Sequence, residues 1–439
     1  MKKYDNYKDS GIEWIGDIPS NWSSTKLKFH TKKIIDGAHF TPTYIEKSND
    51  SIPFLRVTDL HSKEILLDEV KYIPTSEHQE LIKRCNPEVG DLLLSKNGTI
   101  GLMKIIDWDW EFSIFVSLCL LKFEKTLLNK FFFYFFESNI VDRQLFESSQ
   151  KTSVSNLHLE KIKELRLTLP PIEEQTTIAN YLDHKTTQID TLIAKKEQFI
   201  ILLQEERTAV INHAVTKGLD PKVKMKDYGI EWLGEIPEHW EVKKLKFVSK
   251  ITRGAILRPV DEPSYFDDNG EWTYLNISDA TICDKYLDYG KLRLSELGST
   301  KSARVEPNNL IITASATIGK PFINKIPVCV HDGFIPITEL KVNIDFLYNY
   351  FKNPQLFNGL GKSNTQKNIY LEDVKNLIIP IPNLEEQLLI ARYIEEEIIR
   401  IETLISKSLQ EIELLKEYKT ALISEVVTGK VDVRDVILN

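Results

Sequence analysis

The chain has 439 residues, of which 42% are hydrophobic and 27% charged, and its formal net charge at pH 7 is −8. This length predicts about two to four domains of ordinary globular composition. The most apolar stretch, residues 114–123, is far shorter than the roughly 20 residues that span a bilayer, so we expect no membrane contact. A polar start predicts no secretory signal, and four widely separated cysteines favour neither zinc nor disulfides, so we expect a cytoplasmic protein.

The total charge would argue against a nucleic-acid partner, but its distribution changes that interpretation. Residues 173–217 have a net charge of −2 and residues 385–427 one of −5, so these two segments carry −7 of the −8. The remainder is nearly neutral and contains basic runs at residues 26–33 and 243–246. Because local patches steer binding to a polyanion, the charge permits DNA binding without demonstrating it.

In chain order, the first element is an opening segment, residues 11–29, that reads GIEWIGDIPSNWSSTKLKF. It returns 218 positions later, at residues 229–247, as GIEWLGEIPEHWEVKKLKF. Each copy is followed by a body of about 120–140 residues, the size of one compact domain. Short apolar runs in these bodies, such as residues 91–95 and 310–314, indicate buried strands. A repeat this long indicates a duplicated domain rather than a solenoid unit.

Each half closes with a motif that predicts the start of a long helix, LPPIEEQ at residues 169–175 and IPNLEEQ at residues 381–387. Proline suits a first helical turn, and glutamates suit the positive end of a helix. Neither proline nor glycine then occurs from Glu173 to about Thr216 or from Glu385 to about Thr428. We predict two helices of roughly 40 residues, about 60 Å long.

Both predicted helices carry a heptad seam, with positions that step by four and three residues. Because such a stripe must be buried, we predict that the two helices pair as an antiparallel coiled coil with pseudo-twofold symmetry. The alternative is that each helix packs on its own globular domain. The seam positions are Leu182, Thr186, Ile189, Ile193, Lys196, Ile200, Leu203, Arg207, Val210 and Ala214, and then Ile394, Ile398, Ile401, Ile405, Ser408, Ile412, Leu415, Lys419, Leu422 and Val426.

The two halves agree at their ends and diverge in their middles. GDLLLSKNGTIG at residues 90–101 matches NNLIITASATIG at residues 308–319. By contrast, FTPTYIEKSNDSIPFLRVTDLHSKEI in the first half has only a faint echo in SYFDDNGEWTYLNISDATICDKY in the second. A shared scaffold with diverged middles predicts two related modules that read two different targets.

Together these features resemble the specificity (S) subunit of type I restriction–modification systems. The motifs that carry the resemblance are IEWIGDIPSNW, DGAHFTP, FLRVTDL, GDLLLSKNGTIG and LPPIEEQ, and the series then repeats, so that nearly the whole chain is covered. The resemblance implies an α+β fold in which two globular target recognition domains are separated by two long helices. The implied segments are 1–158 (target recognition domain 1), 159–218 (central spacer helix region), 219–370 (target recognition domain 2) and 371–439 (C-terminal spacer helix region).

For function, the resemblance implies DNA sequence recognition by a subunit without catalytic activity. Each globular domain would read one half of a bipartite, asymmetric site in double-stranded DNA, while the helices set the spacing and bind two copies of a methyltransferase (M) subunit. Restriction (R) motor-nuclease subunits are further expected partners. We expect no cofactor in this chain, with S-adenosylmethionine, ATP and Mg in partner subunits. The alternative function is a coiled-coil adaptor that holds two partner proteins without reading DNA.

The residues themselves favour no catalytic function. Adenine methylation needs an (N/D)PP(Y/F) loop, and the LPPI of residues 169–172 has only the prolines. The P-loop pattern is incomplete at residues 361–363, because the first glycine is missing. We expect the aromatic blocks at residues 131–136 and 346–351 to be core rather than base-stacking platforms. The tryptophans of the opening segments are expected to anchor those segments.

Candidate DNA contacts come from polar loops. Lys96 and Asn97 follow a buried strand, where a lysine could contact phosphate and an asparagine could pair with adenine, although a simple turn is the alternative. The second half departs here, with ASA at residues 314–316, and DGAHFTP has no clear counterpart near residues 253–255. Polar segments also precede the long helices, near ends that favour anions. The candidates are Lys32, His39, Thr41, Tyr44, Arg56, Lys96, Asn97, Lys151, Thr152, Arg253, Arg258, Ser315, Thr317, Asn364, Gln366 and Lys367.

Overall fold

The chain divides into two compact units in a computed structural model that describes residues 2–61, 64–146, 156–230, 233–315, 318–357 and 369–437. The first unit consists of Met1–Lys196 and Leu409–Asn439, and the second consists of Glu197–Ser408. This division passes near the middle of each long helix, so each unit holds one globular body and parts of both helices. The four segments implied by the family resemblance stay a prediction.

The elements of the first half of the chain alternate short strands with short helices before one long helix. They are β1 (Tyr7–Asp9), β2 (Asp17–Pro19), β3 (Ser23–Lys26), β4 (Thr31–Asp36), β5 (Ser51–Leu55), β6 (Lys71–Pro74), α1 (Thr75–Arg84), β7 (Leu92–Ser95), β8 (Met103–Ile105), β9 (Ser113–Ile114), β10 (Leu118–Phe123), α2 (Asn129–Phe136), α3 (Asn139–Phe146), α4 (Leu159–Lys163), β11 (Arg166–Leu169) and α5 (Ile172–Lys217).

Among the described residues, the second half has thirteen strands where the first has eleven, places its short helices differently, and also ends in a long helix. Its elements are β12 (Met225–Asp227), β13 (Glu235–Pro237), β14 (Glu241–Lys244), β15 (Lys250–Ile251), β16 (Trp272–Leu275), α6 (Ile277–Ile282), β17 (Tyr286–Leu287), β18 (Leu292–Leu294), α7 (Glu296–Thr300), β19 (Ala303–Val305), β20 (Leu310–Thr313), β21 (Pro321–Asn324), β22 (Val328–Val330), β23 (Phe334–Thr338), α8 (Ile344–Phe351), α9 (Leu371–Lys375), β24 (Ile378–Ile381) and α10 (Leu384–Val427).

Each unit is built on a pair of sheets. The first unit has an antiparallel sheet of order β4-β10-β7-β8 and a smaller sheet of order β6-β5-β9, in which β5 and β9 are parallel. The second unit has sheets of order β15-β23-β20-β21-β17 and β18-β16-β22-β19, in which β16 and β22 are parallel. The central register is also repeated, because Cys119 faces Leu94 as Ile335 faces Ile312. The α+β prediction and the duplication are therefore confirmed.

The apolar runs predicted as strands are buried on both faces of their sheets. In β7, Leu92 and Leu94 pack in one core cluster and Leu93 in another. Successive side chains of a strand point to opposite faces, so a strand buried on both sides reads as a continuous apolar run. The aromatic helices α2 and α8 form core as predicted: Phe131 is 0% exposed and Tyr350 is 0% exposed.

The long helices have the predicted bounds to within about one residue at each end. Pro171 precedes the first helical residue of α5, as expected for a helix start. Gly218 and Gly429 follow the last turns with φ of +76° and +73°, a left-handed conformation that favours glycine. None of the helices within the described ranges is both long and apolar enough to cross a membrane.

The predicted seam is confirmed, because every seam position on α5 and α10 is buried or half-buried. In the first unit Lys196 pairs with Glu411, and Asp190 pairs with Lys419 at 2.8 Å. The residue numbers therefore increase along α5, from 190 to 196, while those of their partners decrease along α10, from 419 to 411. In the second unit Arg207 pairs with Glu402 at 3.4 Å. The charged seam positions thus form ion pairs between the helices, and the pairing is antiparallel.

The glutamine and the second glutamate of the EEQ motif account for its presence at both helix starts, because each accepts a hydrogen bond from a neighbouring segment. Gln175 Oε1 accepts the backbone N–H of Leu128, the cap of α2, at 2.8 Å. Gln387 Oε1 does the same for Asn343, the cap of α8, at 2.7 Å. The motif therefore ties each long helix to the aromatic helix of its own globular body.

Parts of the opening segments pack on these helix starts, as predicted for Trp22 and Trp240, whereas Trp232 lies outside the described residues. Trp22 is 1% exposed and Trp240 is 2% exposed. Trp240 Nε1 donates to Glu386 Oε1 at 2.9 Å. In the first unit the equivalent Glu174 instead accepts the Tyr4 hydroxyl at 2.5 Å. The second glutamate of the motif therefore holds the N-terminal part of its unit in both cases, but through different hydrogen bonds.

Candidate nucleic-acid interface

The candidate residues of the first unit lie where two strands of its larger sheet end. Asp36, the last residue of β4, and Leu94, near the end of β7, both face Cys119 of β10 from opposite sides. The loops that follow β4 and β7 therefore leave the sheet at the same edge. These are the loops that contain His39 and Lys96.

Asp36 is the centre of a buried ionic cluster at this edge. Its carboxylate accepts His39 Nε2 at 2.9 Å and Arg84 at 2.7 Å, and pairs with Lys96 Nζ at 3.1 Å. Burial would raise the pKa of the Asp36 carboxyl, but hydrogen bonds from His39, Arg84 and Lys96 outweigh it and lower the pKa to about 2. Asp36 is thus ionised at neutral pH and holds three side chains together.

The two predicted contacts in this cluster have different surroundings. The Lys96 side chain is only 8% exposed and its ammonium faces Asp36, so it organises the loop from below. The His39 side chain is 58% exposed and the Arg84 side chain 49%, so both are presented to solvent while Asp36 holds them. Sequence reasoning missed Arg84, because it lies on α1, far along the chain from the loop it supports.

The loop after β7 is also clamped to the segment that precedes the long helix. Leu157 N–H donates to the Lys96 carbonyl at 2.7 Å, and Asn97 forms a bridge with Asn156. The second unit repeats the clamp, since Ile369 N–H donates to the Ala314 carbonyl at 3.1 Å. The post-strand loop and the pre-helix segment, which were predicted independently, therefore meet in both units. The predicted residues Lys151, Thr152, Thr317, Asn364, Gln366 and Lys367 lie outside the described residues.

The remaining candidates of the first unit are spread over its surface. Lys32 and Thr41 are exposed, and Tyr44 is 40% exposed with the ammonium of Lys71 5.9 Å from its ring centroid. Arg56 is half-buried, its guanidinium donates to Asp59 at 3.2 Å, and its backbone N–H donates to the same carboxylate at 2.7 Å. The backbone N–H of Asn276 donates to Asp279 in the same way at 2.9 Å, so FLRVTDL has a structural counterpart in YLNISDA.

DGAHFTP does have a counterpart in the second half, and the expectation that it has none is wrong. Gly37 N–H donates to the Leu118 carbonyl and Gly254 N–H to the Phe334 carbonyl, at equivalent places. A Cβ on either glycine would lie 1.9 Å from a backbone carbonyl oxygen, so both positions require glycine. The alignment pairs DGAHFTP with RGAILRP, which is hidden in sequence because only Gly, Ala and Pro persist.

This alignment places Arg253 where the first unit has Asp36, and Ala314 where it has Lys96. Arg253 is exposed, and its Nε donates to the Asp332 carbonyl at 3.3 Å. Half-buried Ser315 lies nearby, against the turn of His331 and Gly333, and burial lowers the pKa of His331. Arg258 is exposed on the following loop. The buried acid–lysine pair of one unit is thus replaced by an exposed arginine in the other.

Among the residues that the structure describes, no group of His, Cys, Asp and Glu could hold a metal ion. A family model described as the type I restriction modification DNA specificity domain matches residues 28–200 and 237–414. The chain belongs to this family. The two matches correspond to the two halves of the duplication, each running from an opening segment into a long helix.

Curated relatives from this family have similar lengths and carry specificity-subunit names. The putative type I restriction enzyme MjaX specificity subunit of Methanocaldococcus jannaschii is 26% identical over 447 residues, which cover 98% of each protein. The type I restriction enzyme EcoBI specificity subunit of Escherichia coli is 26% identical over 412 residues, covering 88% of this chain and 81% of the relative. The family resemblance predicted from the motifs is therefore confirmed.

Two solved structures have a similar fold. One is a chain from a study of complex assembly and conformational transition in the type I R-M system, with a TM-score of 0.69 and 16% identity, covering 94% of this chain and 99% of the other. The other is the HsdS subunit from Thermoanaerobacter tengcongensis, with a TM-score of 0.60 and 17% identity, covering 94% and 98%. The S-subunit architecture thus extends over nearly the whole chain.

Proposed function

We propose that this chain selects the DNA sequence for a type I restriction–modification complex, and that each globular body reads one half of a bipartite, asymmetric site. The observation that carries the proposal is the contrast between a repeated frame and an exchanged loop surface. The glycine turns and loop clamps are repeated in both units, whereas Asp36 and Lys96 of the first are replaced by Arg253 and Ala314 in the second. Equal frames with different loop chemistry suit two readers of different half-sites.

In the first unit, His39 and Arg84 are the groups that we propose to face DNA, with Lys32 as a phosphate contact. In the second unit that role falls to Arg253 and Arg258. An arginine can donate two parallel hydrogen bonds to O6 and N7 of guanine in the major groove. Lys96 is assigned a positioning role, because its ammonium is buried against Asp36.

The long helices are proposed to set the distance between the half-sites and to hold two methyltransferase subunits. Although the seam is covered, several large apolar side chains on the outer faces are 39–59% exposed. Such residues mark protein-binding surfaces when they are contiguous. They are Leu192, Phe199, Ile201 and Leu202 on α5 and Leu388, Leu389, Tyr393, Ile399, Leu409, Leu414 and Tyr418 on α10. We place S-adenosylmethionine, ATP and Mg in partner subunits, including R subunits.

The proposal is tested by mapping adenine methylation in cells that carry this chain and its methyltransferase. We expect one bipartite, asymmetric motif that disappears when the chain is deleted. Replacing residues 30–155 by those of a relative should change one half of the motif and keep the other half and the gap. A change in both halves, or no motif that depends on the chain, would contradict the proposal.

A single-residue test compares Arg253→Ala with Arg253→Lys on duplexes that contain or lack the motif. We expect Arg253→Ala to cost about 1–3 kcal/mol in discrimination at one base pair of one half-site. Arg253→Lys keeps the charge but not the two-pronged hydrogen bond, so non-specific binding and its salt dependence should stay near wild type. An adaptor that never reads DNA would give equal binding to both duplexes with every variant.

A further inference from the structure

Phe29 and Phe247 occupy equivalent positions at the ends of the two opening segments, and both rings are largely in solvent. Phe29 is 67% exposed and Phe247 is 61% exposed. We propose that these two phenylalanines are twin anchors, one in each unit, by which the chain holds two copies of the same partner protein. The inference deepens the proposed function, on which it rests, by assigning residues outside the helices to the partner.

The first support is that the residues around the rings persist for reasons that do not apply to the rings. Leu27 and Leu245 are 0% exposed and belong to the two cores. Gly11 and Gly229 have φ of +69° and +70°, which favours glycine. An exposed phenyl ring contributes neither to a core nor to a backbone conformation. Its presence in both copies therefore needs another cause.

Three other exposed positions of the opening segments have diverged, although the lysine before each ring, Lys28 and Lys246, is retained. The exchanges at solvent-facing positions are Ser20 for Glu238, Asn21 for His239 and Ser23 for Glu241. A similar pair of retained apolar residues occurs at the helix starts, where Ile172 is 44% exposed and Leu384 is 62% exposed. Large apolar side chains are thus retained in solvent at positions whose exposed polar neighbours have in part changed.

The second support is that the backbone just before each ring is held by a hydrogen bond in both units. Leu27 N–H donates to the Leu165 carbonyl and Leu245 N–H to the Leu377 carbonyl, both at 2.8 Å. Each ring therefore projects from a short 3-10 turn, Leu27–His30 or Leu245–Phe247, whose first residue is bonded to the segment before the long helix. A backbone that is already ordered lowers the entropic cost of binding through the side chain it carries.

The charge beside the first ring favours a protein partner over DNA. Lys28 Nζ lies 5.4 Å from the Phe29 ring centroid and bonds Glu164 at 2.5 Å, and Lys26 bonds the same carboxylate at 2.5 Å. One carboxylate thus offsets part of the charge that a polyanion would need. In the second unit Lys246 lies 5.7 Å from the ring of Phe247. The lysine and the ring are both repeated, and a phenyl ring suits an apolar pocket.

The kind of partner protein follows from the fact that the exposed phenylalanine occurs once in each unit. Two different half-sites require different residues, whereas two identical partner subunits require the same residue twice. A partner that binds once per chain would leave one of the rings without a role. The partner is therefore a protein present in two copies, with an apolar pocket that receives a phenyl ring, and within the proposed function this is the methyltransferase subunit.

The test titrates the full-length chain with its cognate methyltransferase subunit, and reads stoichiometry by native mass spectrometry and Kd by calorimetry. We expect two sites in the wild type. Phe29→Ala and Phe247→Ala should each weaken one site about tenfold to a hundredfold and leave the other intact, and the double variant should weaken both. Phe29→Leu should restore most of the affinity at the first site.

The controls are Val89→Ala and Ile282→Ala, which remove apolar side chains that are 64% and 86% exposed and lie outside the opening segments. Neither should change the Kd, and thermal unfolding should be alike for all variants because the rings are exposed. Two sites with unchanged Kd in the double variant would refute the anchors alone. A loss of DNA affinity without a loss of partner affinity would refute them too, and a wild-type chain that binds no methyltransferase would refute the proposed function and the anchors together.

Discussion

The buried ion pair between Asp36 and Lys96 offers the sharpest test of how the first unit is held together. In Asp36→Asn the Lys96 ammonium, with a side chain only 8% exposed, loses its counter-ion. Breaking a buried pair in this way costs about 3–5 kcal/mol. The pKa gives a second figure, because a shift from 3.8 to about 2 corresponds to about 2.4 kcal/mol. We expect a loss of about 2–4 kcal/mol.

The pH dependence has a definite sign. Because the pKa of Asp36 is lower in the folded than in the unfolded chain, its contribution is present above pH 3.8 and is lost as the pH falls through about 2. The wild type should lose this stability in acid, whereas Asp36→Asn has none of it to lose. The difference in unfolding free energy between the two proteins should therefore shrink as the pH falls from 5 towards 2.

The assay is amide hydrogen exchange of the full-length chain, read from peptides that cover β7, which precedes Lys96, and β10, which is paired with Asp36. A double-mutant cycle with Lys96→Met isolates the coupling, and the double variant should be more stable than the sum of the single losses predicts, by about 2 kcal/mol. Glu80→Gln, which breaks an exposed pair with Lys83, is the control and should cost at most about 0.5 kcal/mol. Strictly additive losses, or a loss below that of the control, would refute the reasoning.

Three further predictions concern the repeated scaffold. Trp240→Phe removes a hydrogen bond to a carboxylate of α10 and should cost about 1.5–3 kcal/mol more than Trp22→Phe, whose Nε1 has no hydrogen-bond partner within the described ranges; equal losses in urea unfolding would contradict this. Gly37→Ala and Gly254→Ala should each destabilise their unit by about 3 kcal/mol or more, because a Cβ would lie 1.9 Å from a carbonyl oxygen, whereas Gly11→Ala, in open space at φ +69°, should cost only about 1 kcal/mol by the same measurement. Inserting seven residues into both long helices keeps the seam in phase and should lengthen the gap of the methylated motif without changing either half-site.

Much of the fold was predictable because its signals are local. The duplication is visible in the opening segments, and the helix bounds follow from the absence of proline and glycine between Glu173 and Thr216. The heptad positions identified the buried stripe, and polar members such as Arg207 are tolerated there because they form ion pairs with the opposite helix. Core identities were also predictable, since aromatic blocks such as residues 131–136 are too apolar to remain in water.

The loop surface could not be predicted in the same way, because its chemistry depends on residues distant in sequence. Lys96 looks like a free phosphate contact until the sheet brings β4 and β7 to either side of β10 and places Asp36 beneath it. Arg84 joins the same cluster from a helix some fifty residues along the chain. A lysine's exposure is decided by what the fold packs around it, which a loop sequence does not contain.

The sequence by itself determined that one scaffold occurs twice, that its helices carry a buried seam, and that the middles differ. Only the tertiary structure decided how the middles correspond, because the equivalence of Gly37 and Gly254 rests on backbone hydrogen bonds and on space too small for a Cβ. Backbone geometry is preserved by very few side chains, so it persists where sequence similarity has faded. The equivalent backbone geometry shows that the repeat is not interrupted after β4, and that Arg253 occupies the position of Asp36.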